Sequence, residues 1–304
     1  MSSPALRPLL APALASLALA GCSLGGDSEP AAAPAVRSQL PPASPSSPAS
    51  VALEGEDAFE IRFRRPPRAG LVFDVATGDV LWRRRPLERR PVASLTKVMT
   101  ALVVATTTRP DDRVRVARAA LRYTGRGVGV LKRGKRVPVE ALLSAALITS
   151  ANDASIALAH HVAGSVRGFA RLMNERARLL GLACTRFVSP HGLENGNRSC
   201  AADLAALTRL AMAERRIARI ARVPYTQIRA AVKGKRLYLA TTNPLLATGY
   251  RGTIGLKTGY TSAAGRCLIA VVRRGGRTLG VVLLRSPNPG EQAKRLLERA
   301  FRAG

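Results

Sequence analysis

Runs of apolar, strand-forming residues predict two hairpins, one near each end of the folded part of this chain. Residues 70–82 form such a run around a turn at Thr77-Gly78, and residues 266–284 form another around Gly275-Gly276. Strand-forming runs on either side of a glycine turn are typical of antiparallel hairpins. We therefore predict that the two hairpins pair in one antiparallel sheet, which joins both ends of the domain.

The sequence between the hairpins predicts helices. Residues 98–104 are apolar on nearly all sides, which indicates a helix buried in a core. Residues 142–162 are apolar and free of Gly and Pro, and a polar break at 149–153 predicts two helical segments there. The fold class that follows is α/β, an antiparallel sheet flanked by helices with an inserted all-helical lobe. A cleft is expected where lobe and sheet meet.

The ends of the chain show two further patterns. An amphipathic stripe over residues 291–301 predicts a terminal helix packed on the core, with a membrane-surface helix as the alternative. Residues 1–21 carry one early arginine and an apolar run, which is typical of an export signal. Residues 22–57 are rich in Ala, Pro and Ser and predict an unfolded tether. Residues 58–304 then form one folded domain.

Composition adds a strong positive charge to this picture. The formal net charge is +29, yet aromatic residues make up only 4% of the chain and arginines are scattered through most segments. Export also separates the protein from cytoplasmic nucleic acid. We therefore expect attraction to an anionic cell wall or membrane surface and no nucleic-acid partner. The alternative is that the positive charge reflects a general bias of the composition. The sequence contains no metal-ligand spacing, and no cofactor is expected.

The run Ser94-Leu95-Thr96-Lys97 places a hydroxyl and an amine three residues apart. On a helix these side chains share a face, so the amine can reach the serine oxygen. A buried lysine has a lowered pKa and can serve as the base that a serine nucleophile needs. Only seven of the 48 basic residues are lysine, and arginine cannot act as a base. The alternative is an ordinary buried helix that Ser94 caps.

Two later runs complete a possible acyl-transfer site. Ser150-Ala151-Asn152 lies at the polar break between helices, where side chains can project into a cleft, although a helix cap is the alternative there. Lys257-Thr258-Gly259 follows a strand-forming stretch that contains Gly255. A strand edge with glycines lets a peptide backbone approach, and a nearby cation can meet its carboxylate.

Together the three runs resemble those of the penicillin-recognising serine enzymes. The closer resemblance is to the D-alanyl-D-alanine carboxypeptidases of the low-molecular-weight penicillin-binding proteins, and it covers roughly residues 66–285. It extends beyond the triplets to further runs, which are Ala93 to Thr100, Ser150 to Ala154, Leu172-Met173-Asn174, Leu180-Gly181-Leu182, Pro190-His191-Gly192-Leu193 and Gly255 to Thr261.

The resemblance implies an acyl-enzyme mechanism on peptidoglycan stem peptides. Ser94 would attack the carbonyl between two terminal D-alanines, with Lys97 as its general base. Ser150 would relay the proton to the leaving amine, and Asn152 would hydrogen-bond the substrate amide and Lys97. β-Lactams would be covalent inhibitors that acylate the same serine.

The same resemblance assigns substrate binding to the third run. Lys257 and Thr258 would bind the terminal carboxylate, and Gly259 would allow close approach. The backbone N–H groups of Ser94 and Tyr260 would form the oxyanion hole, in which one donor typically contributes roughly 3 kcal/mol to transition-state stabilisation.

Other functions stay open at this point. A Ser-His-Asp triad through His191 lacks a nucleophile elbow, and we interpret His191 as part of a loop near the cleft. A class A β-lactamase needs a deacylating glutamate, for which Glu175 and Glu194 are poor candidates, so penicillin should be released slowly. A D,D-endopeptidase shares the same motifs. An inactive, tethered wall-binding protein is the alternative from a different class.

The cysteines bear on location and stability. Leu19-Ala20-Gly21-Cys22 resembles a bacterial lipoprotein cleavage site, so Cys22 would carry a lipid that anchors the exported protein in the cell envelope. Cys184 and Cys200 bracket the His191 loop, and we predict a disulfide between them in an oxidising compartment. Cys267 lies in an apolar strand and is expected to be inert. The oligomeric state is not predicted.

Overall fold

An antiparallel sheet of five strands organises the described residues, which in this computed structural model are 50–122, 127, 131–229 and 236–303. They belong to a unit that spans residues 42–304. The predicted export signal, Cys22 and the predicted tether up to residue 49 lie outside the described residues.

The strands of this sheet are the two predicted hairpins and one edge strand. They are β1 (Ala69–Asp74), β2 (Val80–Arg84), β9 (Thr253–Thr261), β10 (Gly265–Arg274) and β11 (Arg277–Leu284), in the order β2-β1-β11-β10-β9. β1 pairs with β11 from Ala69 opposite Leu284 to Asp74 opposite Leu279. This pairing joins both ends of the domain, as the sequence predicted, and β2 and β9 are the two edge strands of the sheet.

The remaining strands form two-stranded ribbons, and the helices lie mostly between β2 and β9. The ribbons pair β3 (Arg90–Pro91) with β6 (Arg198–Ser199), β4 (Arg113–Arg115) with β5 (Arg136–Pro138), and β7 (Tyr225–Arg229) with β8 (Arg236–Ala240). The helices are α1 (Lys97–Thr107), α2 (Arg118–Leu121), α3 (Val139–Ile148), α4 (Asn152–Ala163), α5 (Val166–Leu179), α6 (Ala201–Ala213), α7 (Arg215–Ala221), α8 (Pro244–Ala247) and α9 (Pro289–Arg302).

The central strand β10 shows how the sheet is covered on both faces. Leu268 and Ala270 pack in the same cluster as Leu296 and Leu297 of the terminal helix α9. The alternate residue Ile269 packs instead with the helical lobe. Alternate side chains of a strand point to opposite faces, so an apolar run of this length indicates a sheet buried on both sides. The expected α/β architecture with an inserted helical lobe is confirmed.

Two helical features of the lobe position the site. Every residue of α1 from Lys97 to Val104 is buried, as its all-round apolar pattern predicted. The predicted break in residues 142–162 separates α3 from α4, and Ser150 lies in it. Among the described residues, none of the helices combines the length and apolar character needed to cross a bilayer.

The last residues of the predicted tether, 50–57, contact the first hairpin. The backbone N–H of Ala52 donates to Gly78 O at 3.1 Å, and Arg83 pairs with Asp57 at 2.8 Å. Val51 and Leu53 also pack against the core. Residues 50–57 are therefore held by the first hairpin.

The Cys184–Cys200 disulfide is present in the structure, with the two Cα atoms 5.6 Å apart and a sequence separation of 16 residues. The enclosed segment contains His191, whose contacts are described below. A crosslink over a loop of this length restricts the unfolded chain and typically contributes about 3 kcal/mol to stability.

We expect reduction of this disulfide to lower the free energy of unfolding by about 3 kcal/mol. Urea denaturation with and without dithiothreitol measures the effect, and a Cys184→Ser, Cys200→Ser double variant should show no response to the reductant. Equal unfolding midpoints for the wild-type chain under both conditions would contradict the stabilising role. Cys267→Ser, which leaves the disulfide intact, should keep the response to dithiothreitol.

Candidate active site

The Lys97 amine and the Ser94 hydroxyl lie together at the start of α1. Ser94 occupies a short 3-10 turn, Ala93–Thr96, that leads directly into the helix. Lys97 Nζ lies 3.0 Å from Ser94 Oγ, and Lys97 is fully buried. The structure therefore brings together the two groups that the first run predicts as nucleophile and base.

Two further acceptors fix the Lys97 amine from other parts of the lobe. Lys97 Nζ donates to Asn152 Oδ1 at 2.5 Å and to the His191 backbone O at 2.8 Å. Asn152 is the first residue of α4, and His191 lies in the loop that the disulfide encloses. A neutral amine has two N–H groups and one lone pair. It can keep both of these bonds and still accept the proton of Ser94.

Ser150 and Ala93 reach the site through left-handed backbone conformations. Ser150 has φ +64° and Ala93 has φ +49°, and neither is glycine. Such residues are uncommon, and conformations of this kind cost of order 1 to 3 kcal/mol unless the surroundings impose them. Ser150 is 7% exposed and lines the same cleft as Ser94.

The third run lies on the edge strand β9 and contacts the Ala93–Thr96 turn, which we call the nucleophile turn. Thr258 and Gly259 line the cleft with Ser94. A Cβ on Gly259 would lie 3.0 Å from both Ser94 N and Val92 O, so only glycine lets β9 pass this close. Lys257 is 1% exposed, and its Nζ donates to Thr258 O at 3.0 Å. Its buried amine therefore lies on β9 beside the cleft-lining residues Thr258 and Gly259.

The cleft has a volume of about 520 Å³ and contains residues that sequence reasoning missed. The Thr258 hydroxyl donates to Thr242 Oγ at 2.5 Å, which adds a second hydroxyl to the third run. The exposed Arg266 lies opposite Tyr260 in the pairing of β10 with β9. The register of this hairpin is the signal that would have placed Arg266 at the cleft. The full lining is Ser94, Ser150, Asn152, Leu193, Thr242, Pro244, Thr258, Gly259, Tyr260, Arg266, Cys267 and Pro289.

His191 supplies its backbone to the site rather than its ring. Its Nδ1 accepts from Leu193 N at 3.5 Å and lies 3.7 Å from Glu194 Oε2. The pKa of His191 is lowered to about 4, mainly because the ring is buried; the Glu194 carboxylate opposes this effect and the Lys97 charge adds to it. The ring is thus neutral near pH 7, so the contact with Glu194 is not an ion pair there. Within the part of the chain that the structure describes, Ser94 Oγ meets the backbone O of His191 at 3.4 Å, which does not support a Ser-His-Asp triad.

Carboxylates are absent from the cleft lining within the described residues. Glu194 accepts hydrogen bonds from Ser189 and Asn197 in the His191 loop, while Glu175 is exposed on α5. Neither residue faces the hollow beside Ser94. Cys184, Cys200 and Asp203 lie close together, but the disulfide uses both sulfurs, so this cluster is not a metal site.

Comparison with known proteins gives a consistent result. A family model for D-alanyl-D-alanine carboxypeptidases matches residues 67–288. The D-alanyl-D-alanine carboxypeptidase DacF of Bacillus subtilis is 32% identical over 243 residues, which are 77% of this chain and 62% of DacF. The D-alanyl-D-alanine endopeptidase of Escherichia coli is 34% identical over 211 residues, 66% of this chain and 65% of that protein. This chain therefore spans less than two thirds of the length of either relative.

Solved structures show the same similarity. The DD-transpeptidase of a Streptomyces strain superposes with a TM-score of 0.74 and 28% identity, over 80% of this chain and all of that one. The D-alanyl-D-alanine carboxypeptidase of Mycobacterium tuberculosis superposes with a TM-score of 0.75 and 29% identity, over 82% of this chain and 96% of that one. The resemblance that the sequence motifs indicated is thereby confirmed.

The lowered pKa of His191 predicts a pH-dependent stability. The unfolded chain takes up a proton near pH 6.5, whereas the folded chain does so only near pH 4. The stabilisation is therefore complete above pH 6.5 and is lost as the pH falls towards 4. Between pH 7 and pH 5 we expect His191 to account for roughly 2 kcal/mol of lost unfolding free energy.

Urea denaturation at both pH values checks this expectation. His191→Asn keeps the backbone carbonyl that Lys97 uses and should lose less stability on acidification than the wild type. The control His160→Asn should behave as the wild type does. An unchanged pH dependence in His191→Asn would contradict the assignment.

Proposed function

The chain belongs to the D-alanyl-D-alanine carboxypeptidase family, and on that premise we propose that it removes the terminal D-alanine from peptidoglycan stem peptides through an acyl-enzyme. The observation that carries the proposal is the 3.0 Å contact between Lys97 Nζ and Ser94 Oγ in a cleft that Thr258 and Gly259 also line. The proposed nucleophile and the peptide-binding edge thus share one hollow, and the proposed base contacts the nucleophile.

Acylation follows from the contacts of Lys97. The neutral amine accepts the Ser94 proton while Asn152 and the His191 carbonyl hold its two N–H groups. Ser94 Oγ then bonds to the carbonyl carbon, and the oxyanion is stabilised by the backbone N–H groups of Ser94 and Tyr260. The proton passes through Ser150 to the amine of the leaving D-alanine as the C–N bond breaks. Water later hydrolyses the ester and restores Ser94.

Substrate binding uses the open edge of β9. An extended peptide can add to an exposed sheet edge through main-chain hydrogen bonds. The terminal carboxylate then lies near the Thr258 hydroxyl, and the exposed guanidinium of Arg266 can pair with it in a bidentate way. Lys257 adds positive charge next to Thr258 on the same strand.

Slow release of penicillin is part of the proposal. A β-lactam ring offers Ser94 the same amide bond, and the cleft lining holds no carboxylate, among the described residues, that activates a water for deacylation. This argues against a β-lactamase. The assembled Ser94–Lys97 pair argues against an inactive wall-binding protein.

A D,D-endopeptidase is the second candidate. A relative with that activity in its name is 34% identical to this chain, so the motifs alone do not separate the two activities. Both reactions use the same acyl-enzyme, and they differ in whether the leaving amine belongs to a free D-alanine or to a crosslinked peptide.

We further propose that the protein is exported and held in the cell envelope by a lipid on Cys22. The sequence Leu19-Ala20-Gly21-Cys22 supports this proposal. The Cys184–Cys200 disulfide is in keeping with it, because disulfides persist in oxidising compartments outside the cytoplasm.

Release of D-alanine tests the main proposal. We expect the wild-type chain to release it from a peptide that ends in D-alanyl-D-alanine and to leave the D-alanyl-L-alanine analogue intact, while Ser94→Ala releases none. Mass spectrometry after incubation with penicillin should show a long-lived adduct on Ser94. Rapid turnover of penicillin would instead indicate a β-lactamase. Absence of an adduct would indicate an inactive binder, and preferential cleavage of crosslinked dimers would indicate an endopeptidase.

Lys97→Arg isolates the role of the base. Arginine keeps the positive charge but does not give up a proton, so we expect the rate of penicillin acylation to fall by roughly 10²- to 10⁴-fold. Lys132→Arg, the same change at an exposed position, should acylate at the wild-type rate. Acylation of Lys97→Arg at the wild-type rate would rule out Lys97 as the general base.

A further inference from the structure

A second charged region lies away from the cleft, on the ribbon of β4 and β5. Between Arg113 and Pro138 the sequence contains nine Lys or Arg residues and no Asp or Glu. We use the name basic ribbon for the exposed cationic residues of this segment within the described chain, which are Arg113, Arg115, Arg118, Arg122, Lys132, Arg133, Lys135 and Arg136.

Strand pairing concentrates this charge. Val114 and Val137 lie opposite each other and are buried, so the fold holds the ribbon through its inner face. Arg115 and Arg136 are also directly opposite each other, and both are exposed. Like charges in such a pair are destabilising. An anion bound on this face would relieve the repulsion.

The side chains of the basic ribbon have no acidic partner among the residues that the structure describes. Every ion pair there joins residues outside this set, and none of its side chains donates a hydrogen bond to another described residue. Of the nearby acids, Glu140 pairs with Arg216 and Arg219, and Asp112 accepts from the backbone of Arg109. Asp111 is exposed and forms no ion pair with the basic ribbon among the described residues. The guanidinium groups are therefore available to a ligand.

A depression of about 760 Å³ adds donors to the same surface. Arg115, Arg118 and Arg133 line it together with His160 and His161. The two histidines lie in the last turn of α4, whose first residue, Asn152, binds Lys97. At 1.5 Å per helical residue, the depression begins about 12 Å along α4 from Asn152.

We propose that the basic ribbon binds a linear, phosphate-bearing polymer. Arginine forks pair with phosphate oxygens in a bidentate way, and arginine is the main cation of the surface. Arg113 and Arg115 are two residues apart on one strand, which spaces their Cα atoms by about 7 Å. Such a row fits repeated anions better than a single ion. Binding here places the protein along an anionic polymer with its cleft close by, and it is independent of the peptidase chemistry.

Binding of fluorescently labelled, linear inorganic polyphosphate by the full chain tests this proposal. The triple variant Arg115→Gln, Arg133→Gln, Arg136→Gln should bind at least about tenfold more weakly at low salt than the wild type. The slope of log affinity against log salt concentration should also be smaller in magnitude by about 2, because fewer counterions are released when fewer phosphate contacts form. Fluorescence anisotropy at several salt concentrations measures both quantities.

A matched variant distinguishes the loss of this site from a general loss of positive charge. Arg171→Gln, Arg178→Gln, Arg299→Gln also removes three exposed arginines, from α5 and α9, and should bind as the wild type does. Equal losses in the two triple variants would overturn the proposal, and so would equal affinity for poly-glutamate of the same charge. Both triple variants should acylate with penicillin at the wild-type rate, so that a failure of the proposed peptidase activity is distinguishable from a failure of polymer binding.

Discussion

The structure of the site depends on one buried amine and its three hydrogen-bond partners. Lys97 Nζ contacts Ser94 Oγ, Asn152 Oδ1 and the His191 carbonyl, which belong to the nucleophile turn, to α4 and to the loop before β6. A buried polar group needs all of its partners, because an unpaired one is costly in a low-dielectric interior. The three segments are thus fixed relative to one another at the point where the proton must move, and the Cys184–Cys200 disulfide limits the freedom of the third.

Close packing around the nucleophile turn sets the shape of the cleft. Gly259 of β9 lies against Ser94 N on one side, and Gly192 of the His191 loop lies against Ala93 O on the other. A Cβ at either position would collide with backbone, and Ala93 itself is held in a left-handed conformation. Strained backbone persists only where surrounding contacts over-determine it. The conformation of the turn is therefore a product of the sheet edge and the loop together.

The sequence predicted the elements that have a local signal. It did not predict the features that arise only when distant segments pack or strands pair. The hairpins, the buried helix after Ser94 and the break at Ser150 follow from hydrophobic period and glycine placement, and all are present. The left-handed conformation of Ser150 had no sequence signal, since serine has no preference for it. Arg266 enters the cleft only through the β9–β10 register. Arginines that look scattered along the chain are gathered by the pairing of β4 with β5, which places Arg115 opposite Arg136.

Cys267 shows how the cleft selects an oxygen over a sulfur. The thiol lies opposite Gly259 in the sheet, lines the same hollow as Ser94, and has its pKa raised to about 11 by burial. A free thiol is intrinsically the better nucleophile, but only as a thiolate. Near neutral pH the sulfur keeps its proton, while the alcohol has an amine 3.0 Å away. In free solution the thiol would be the more reactive of the two groups, but in this hollow it stays protonated and the hydroxyl has a base beside it. Under the proposed mechanism an electrophile therefore forms an ester with Ser94 instead of a thioester with Cys267.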